Sequence, residues 1–277
     1  MVSFGLLVLV SVAAGFIGAM SGMGGGVVLI PALTLLGIDI KHAIGISMVS
    51  VIATSSGAAS AYVRDHVTNL KVGMFLEMFT ILGALVGASI TLAAAESPLF
   101  IIFGVVLLIS WAALFLQHGE GRRRSTHQDA FSRWLELEGS YDDQAAHKRI
   151  AYRAVRAYLG GPLMFGAGLV AGLLGIGAGA LKVLIFDMAM GLPTKVSTTT
   201  SNLIIGVTAL AGTSVYLAGG LIDPALAAPV IIGIIVGAFI GTRVLVRLTN
   251  ESVRLFFLII LAILGVEMVL RGVGVIP

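Results

Sequence analysis

The chain has 277 residues, of which 58% are hydrophobic and 11% charged, with a mean hydropathy of +1.06. A water-soluble domain carries about 25% charged residues, so the apolar phase that receives this chain is a lipid bilayer and not one protein core. There is no cysteine, which excludes disulfides, thiolate metal sites and cysteine nucleophiles. The net charge of +3 reports membrane orientation more than nucleic-acid binding.

Taken in chain order, apolar segments run over 3–20, 26–38, 43–62, 72–94 and 97–116. A second five run over 159–175, 180–191, 197–218, 225–247 and 253–270. A full crossing takes roughly 20 residues, so 26–38 and 180–191 read as half-spanning or re-entrant pieces. Each follows a glycine cluster. The first segment lacks a positive flank and a cleavage motif, so it is expected to be retained.

Residues 117–158 interrupt the pattern. They hold eight of the 17 basic residues, among them Arg122, Arg123 and Arg124, against six acids. The positive-inside rule makes this loop cytoplasmic. Within it, 131–141 reads as a short amphipathic stretch with a Gly-Ser turn, part of a solvated linker. The expected organisation is a first repeat at 1–116, a cytoplasmic linker at 117–158 and a second repeat at 159–277.

The two halves match at an offset of 154 residues: Ser47 with Ser201, Thr54 with Thr208, Asn69 with Asp223, Gly83 with Gly237, and Gly87 with Gly241. At an offset of 153, Gly22, Gly24 and Gly26 match Gly175, Gly177 and Gly179. Matched polar residues within apolar segments indicate a duplication. Arg64 and Lys71 flank one turn of the first half, whereas Arg243, Arg247 and Arg254 flank the other turn of the second. The bias has changed sides, which predicts inverted repeats in an all-α, multi-pass membrane protein of eight to ten segments. Both termini then lie on the non-cytoplasmic side of the cell (inner) membrane.

Three groups of residues are candidates for chemistry. The glycine clusters, including Gly24, Gly25, Gly26, Gly175, Gly177 and Gly179, leave backbone N–H groups uncovered at helix starts, which favours an anion. Broken segments in equivalent positions point to the binding site of inverted-repeat transporters. Ser47, Ser201 and Asn202 serve equally as donors to an oxyanion or as interhelical hydrogen bonds. Thr198 and Thr199 read as helix caps. Lys182, three residues past the second cluster, is placed to attract an anion, or else snorkels to the interface or pairs with Asp187. Glu77, Asp187 and Glu267 are candidate proton carriers, with Glu77 and Asp187 the preferred coupling residues. The five histidines form no metal-ligand pair within a span, and no cofactor or catalytic motif occurs. An enzyme is not expected.

The run from Gly15 through Gly26 with Pro31, the stretch His42 to Ser47, Gly172 through Gly179, and Lys195 to Asn202 resemble the TauE/SafE membrane proteins, called sulfite exporters or anion permeases. The resemblance covers the chain apart from the central loop. It implies transport of small sulfur-containing anions such as sulfite or sulfonates. The second half departs from the pattern: Ala178 replaces a middle glycine, Lys182 stands opposite Leu29, and Leu184 opposite Pro31. These readings converge on a secondary transporter of a small anionic substrate, coupled to a proton, with close-packing glycines that suit a homodimer. A passive anion channel or a non-transporting scaffold are the alternatives.

Overall fold

A computed structural model describes residues 3–21, 25–64, 68–116, 129–143, 148–245 and 250–276. The apolar segments fold as helices because lipid offers backbone N–H and C=O groups no partner, so each must be satisfied within its own segment. The first half contains α1 (Phe4–Ser21), α2 (Gly26–Leu35), α3 (Ile40–Arg64), α4 (Leu70–Ala93) and α5 (Glu96–Leu116). The second contains α7 (Ala157–Leu174), α8 (Gly179–Leu184) with a π-helical turn at Ile185–Ala189, α9 (Thr194–Ala218), α10 (Pro224–Leu245) and α11 (Asn250–Gly272). Among the described residues, five helices are long and apolar enough to cross a membrane. Their outward side chains are apolar too: Met78, Leu82, Leu217, Ile235 and Phe239 are each more than half exposed. Such a belt is an aggregation liability in water and costs nothing against acyl chains. The protein is an all-α, multi-pass membrane protein.

The matched polar residues do matched work at helix starts. The Asn69 side chain caps α4 by accepting from the Val72 N–H at 3.0 Å. The Asp223 side chain, at the start of α10, accepts from the Ala225 N–H at 2.8 Å.

Packing repeats the pattern. Helix α1 lies along α10 and α4 along α7, while α3 meets α9 and α5 meets α11. A methyl group on Gly87 of α4 would collide with the Leu169 carbonyl of α7. A methyl group on its counterpart Gly241 of α10 would collide with the Phe16 carbonyl of α1. Phe16 and Leu169 are themselves related by the 153-residue offset. Each half therefore supplies the same two helices, and they pack in exchanged pairs at backbone contact. The glycines expected to suit a homodimer are used for these contacts within the chain.

The described part of the linker, 129–143 and 148–158, is folded. Residues 131–141 do not form one amphipathic stretch with a Gly-Ser turn. A short helix α6 (Ala130–Trp134) precedes β1 (Glu138–Asp143), which pairs antiparallel with β2 (Lys148–Arg153). Gly139 and Ser140 lie inside β1, opposite Tyr152 and Ala151. The reason is a period-two alternation: Leu137 and Tyr141 are buried, and Glu138 between them is exposed. Tyr141 and Tyr152 face an apolar cluster with Val72 and Leu76 of α4, Met190, and Val196 of α9. The hairpin thus sits over the starts of α4 and α9. The Tyr152 hydroxyl accepts from Asn69 Nδ2 at 3.0 Å, and the Asn69 N–H donates to Thr200 Oγ1 at 3.1 Å.

Candidate functional site

Helix α1 ends at Ser21, and α2 starts at Gly26 after Gly25 in the left-handed region at φ 75°. Gly24 lies outside the described residues, as do Gly22 and Met23. In the second half α7 ends at Leu174, and Gly175, Gly177 and Ala178 all have positive φ before Gly179 opens α8. Ala178 is held left-handed at φ 48°, ψ 31°, a conformation that costs a residue with a Cβ roughly 1–2 kcal/mol.

The two breaks meet. A methyl group on Gly26 would lie 2.7 Å from the Gly175 carbonyl oxygen, 3.3 Å from Ile176 Cα and 2.5 Å from Ser47 Oγ. Only a glycine lets the start of α2 approach the opposite break this closely. The Ser47 hydroxyl of α3 donates to the Gly175 carbonyl at 2.9 Å, tying one half's helix to the other half's break. The Ser201 hydroxyl of α9 donates to the Gly179 carbonyl at 3.2 Å. Gly177 sits between Val51 of α3 and Ile205 of α9. Gly25, Gly26, Ser47, Gly175, Gly177, Gly179 and Ser201 are thus gathered in one place. In this conformation both serine hydroxyls hold break carbonyls. Asn202 follows on α9 and is half-buried. A small, mainly apolar cleft adjoins the second break, lined by Val27, Leu107, Ser110, Ile176, Gly179 and Leu181.

Two neighbouring carbonyls are satisfied by residues that sequence reading did not select. The Tyr216 hydroxyl donates to the Gly172 carbonyl at 2.6 Å, and Thr91 Oγ1 to the Leu173 carbonyl at 2.8 Å. A hydroxyl one helix away, aimed at a carbonyl near the end of α7, leaves no local mark in sequence. The cap reading of Thr198 and Thr199 fails, because α9 starts at Thr194, before either of them. Thr199 Oγ1 donates back to the Lys195 carbonyl of its own helix at 3.0 Å.

Lys182 is fully buried and does not snorkel. Its ion pair is with Glu77 of α4, Nζ to Oε2 at 3.7 Å, and not with Asp187, which lies half-buried on the π-helical turn. Thr208 of α9 stands between the charges. Its hydroxyl accepts from Lys182 Nζ and donates to Glu77 Oε1 at 2.6 Å. Thr80, one turn along α4, donates to Glu77 Oε2. Glu77, Thr80, Lys182 and Thr208 are all buried. A carboxylate and an ammonium in the apolar interior are expensive singly and are tolerated as a hydrogen-bonded pair. Thr208 was legible as the repeat partner of Thr54, and Thr80 lies three residues beyond Glu77 on the same helical face.

The sequence profile of the sulfite exporter TauE/SafE family matches residues 7–268. Among curated proteins, the chain is 23% identical over 279 residues to the probable membrane transporter protein YunE of Bacillus subtilis (strain 168), covering 98% of this chain and 99% of that one. It is 25% identical over 240 residues to the probable membrane transporter protein YdhB of the same organism, covering 86% of this chain and 89% of that one. No solved structure matches. With a profile match from α1 to α11, enclosing both glycine breaks and the Glu77–Lys182 pair, the chain belongs to the sulfite exporter TauE/SafE family of membrane transporters.

Proposed function

We propose that the chain is a secondary transporter of small sulfur-containing anions, such as sulfite, a sulfonate or a related oxyanion. It works by alternating access between two inverted repeats, 1–116 and 159–277, joined by a cytoplasmic linker at 117–158. The observation that carries this reading is the meeting of the two breaks, with Gly26 against Gly175 and Ser47 tied to the same carbonyl. Broken helices that converge from equivalent positions of two halves are where such transporters bind their substrates. The exchanged packing of α1 with α10 and α4 with α7 supports a duplicated arrangement of the two halves.

The anion would be held by backbone amides of Gly24 to Gly26 and Gly175 to Gly179, by Ser47, Ser201 and Asn202, and by the positive charge of Lys182. For the serines to donate to an anion they must release the Gly175 and Gly179 carbonyls, so the described conformation is a closed one. Glu77 and Asp187 are the carriers of a coupling proton. The charge bias of the turns supports an inner-membrane protein with a cytoplasmic linker and both termini on the opposite side.

Thermal stability of the purified protein across sulfite, sulfate, thiosulfate, sulfoacetate, taurine and chloride tests this. A ligand present at 100 times its Kd adds about 2.7 kcal/mol of stability. A concentration-dependent rise in Tm with one sulfur anion and none with chloride is expected. A flat response across the panel at millimolar concentrations would contradict the anion assignment.

A further inference from the structure

The Glu77–Lys182 pair exists once per chain. At the repeat-equivalent positions stand Ile231 and Leu29, with Thr54 in place of Thr208. The charged cluster spans both halves, with Glu77 on α4 and Lys182 and Thr208 on α8 and α9. It has no net charge while Glu77 is ionised. If an anion joins Lys182 and nothing else changes, the buried cluster carries a net negative charge, which an apolar interior resists strongly.

Both hydroxyls that serve the carboxylate have a second acceptor already in reach. Thr208 Oγ1 lies 2.9 Å from the Ile204 carbonyl, and Thr80 Oγ1 lies 2.9 Å from the Glu77 carbonyl. When Glu77 takes a proton, these hydroxyls turn to the backbone. The new carboxylic O–H then donates to Thr208 Oγ1 or Thr80 Oγ1, so no donor is stranded and the hold on Lys182 is released. The other elements packed here bring few charged or titratable groups. Helix α7 carries no Asp, Glu, Lys, Arg or His. At the start of α4, Lys71 is paired with Glu136 at 3.1 Å, and Lys195 at the start of α9 is exposed. Asp187 on the π-helical turn, Tyr158 at the start of α7 and Tyr216 of α9, whose hydroxyl donates to the Gly172 carbonyl, are the remaining titratable groups of these elements.

We infer that the substrate anion and the Glu77 carboxylate compete for Lys182, so that each anion bound is accompanied by one proton taken from water onto a Glu77 oxygen. One O–H bond forms on Glu77, and the Glu77–Lys182 ion pair is exchanged for an anion–Lys182 pair. The inference rests on the transporter reading and gives it a stoichiometry: one proton per monovalent anion, with no net charge moved into the site.

The test uses the full chain in detergent with methanesulfonate, a monoanion whose own charge does not change across the physiological pH range. Wild-type affinity, read from ligand-induced Tm shifts, should fall about tenfold per pH unit on the alkaline side, the slope for one linked proton. In weakly buffered solution, binding should take up one proton per anion. E77Q should bind with an affinity independent of pH. Wild-type protein that binds methanesulfonate with no proton uptake and no pH slope overturns the inference, whether or not E77Q folds. E77Q with the wild-type slope overturns it as well. Wild-type protein stabilised by neither methanesulfonate nor any anion of the panel overturns the transporter reading, and the inference falls with it.

Discussion

Two regions of this molecule occupy matched positions of the two halves and are chemically opposite. Around Thr208, a lysine and a glutamate from different halves share one hydroxyl in a buried ion-paired cluster. Around Thr54, the equivalent positions are Leu29 and Ile231, and the hydroxyl donates to its own helix at Val51 O, 3.0 Å away. At other matched positions the halves do the same work: Asn69 and Asp223 both cap, and Gly87 and Gly241 both admit a carbonyl. The framework needs backbone-level packing on both sides, so both copies keep it. On the proposed reading, binding and coupling need one charge-bearing site, and the charged pair stands in one copy alone.

This contrast is open to direct attack. The largest effect is expected from K182M, which leaves Glu77 buried without its cation and should cost about 3–5 kcal/mol. L29M, at the apolar counterpart, should cost less than about 1.5 kcal/mol. The neutral double variant E77Q/K182M should recover most of the loss, which denaturation midpoints in detergent would show. Equal costs at positions 29 and 182 would break the comparison.

Next come G87A and G241A, each forcing two helices apart at a carbonyl, with an expected loss of about 1–3 kcal/mol apiece. Because the two sites are repeat partners, their Tm changes should match. A large disparity would show that the framework is not equivalent either. T208V should cost about 1–3 kcal/mol by leaving a buried charge short of a partner, whereas T54V should stay within about 0.5 kcal/mol. The smallest effect has the opposite sign. A178G relieves a left-handed alanine and should raise stability by roughly 1 kcal/mol. A loss on that change would mean that the Ala178 methyl matters more to packing than its backbone strain.

The helical framework was legible in sequence because lipid imposes one rule on every segment, and hydropathy reads that rule directly. The ten apolar segments reappear as α1 to α5, α7, α8 with its π turn, and α9 to α11. The meeting of the glycine breaks was legible through repeat matching. What escaped has a common cause: side chains that pair across helices far apart in sequence. Proximity in sequence offers Asp187 as one possible partner for Lys182, whereas its ion-pair partner Glu77 is 105 residues away. Ser47 reads as a donor to substrate or to another helix, and only packing assigns its hydroxyl to Gly175. The β-hairpin was missed because charged residues alternate along it with few large apolar ones, and its buried tyrosines were hidden in a polar stretch.

The most direct test of the central claim is uptake into proteoliposomes. Radiolabelled sulfoacetate, sulfite and thiosulfate would be offered to vesicles with the purified protein and to protein-free vesicles. Saturable uptake of at least one of these anions is expected, with accumulation above the external concentration when the outside is acidic, and with loss of both on changing Gly26 to leucine. Uptake no faster than in protein-free vesicles for every anion offered would contradict it.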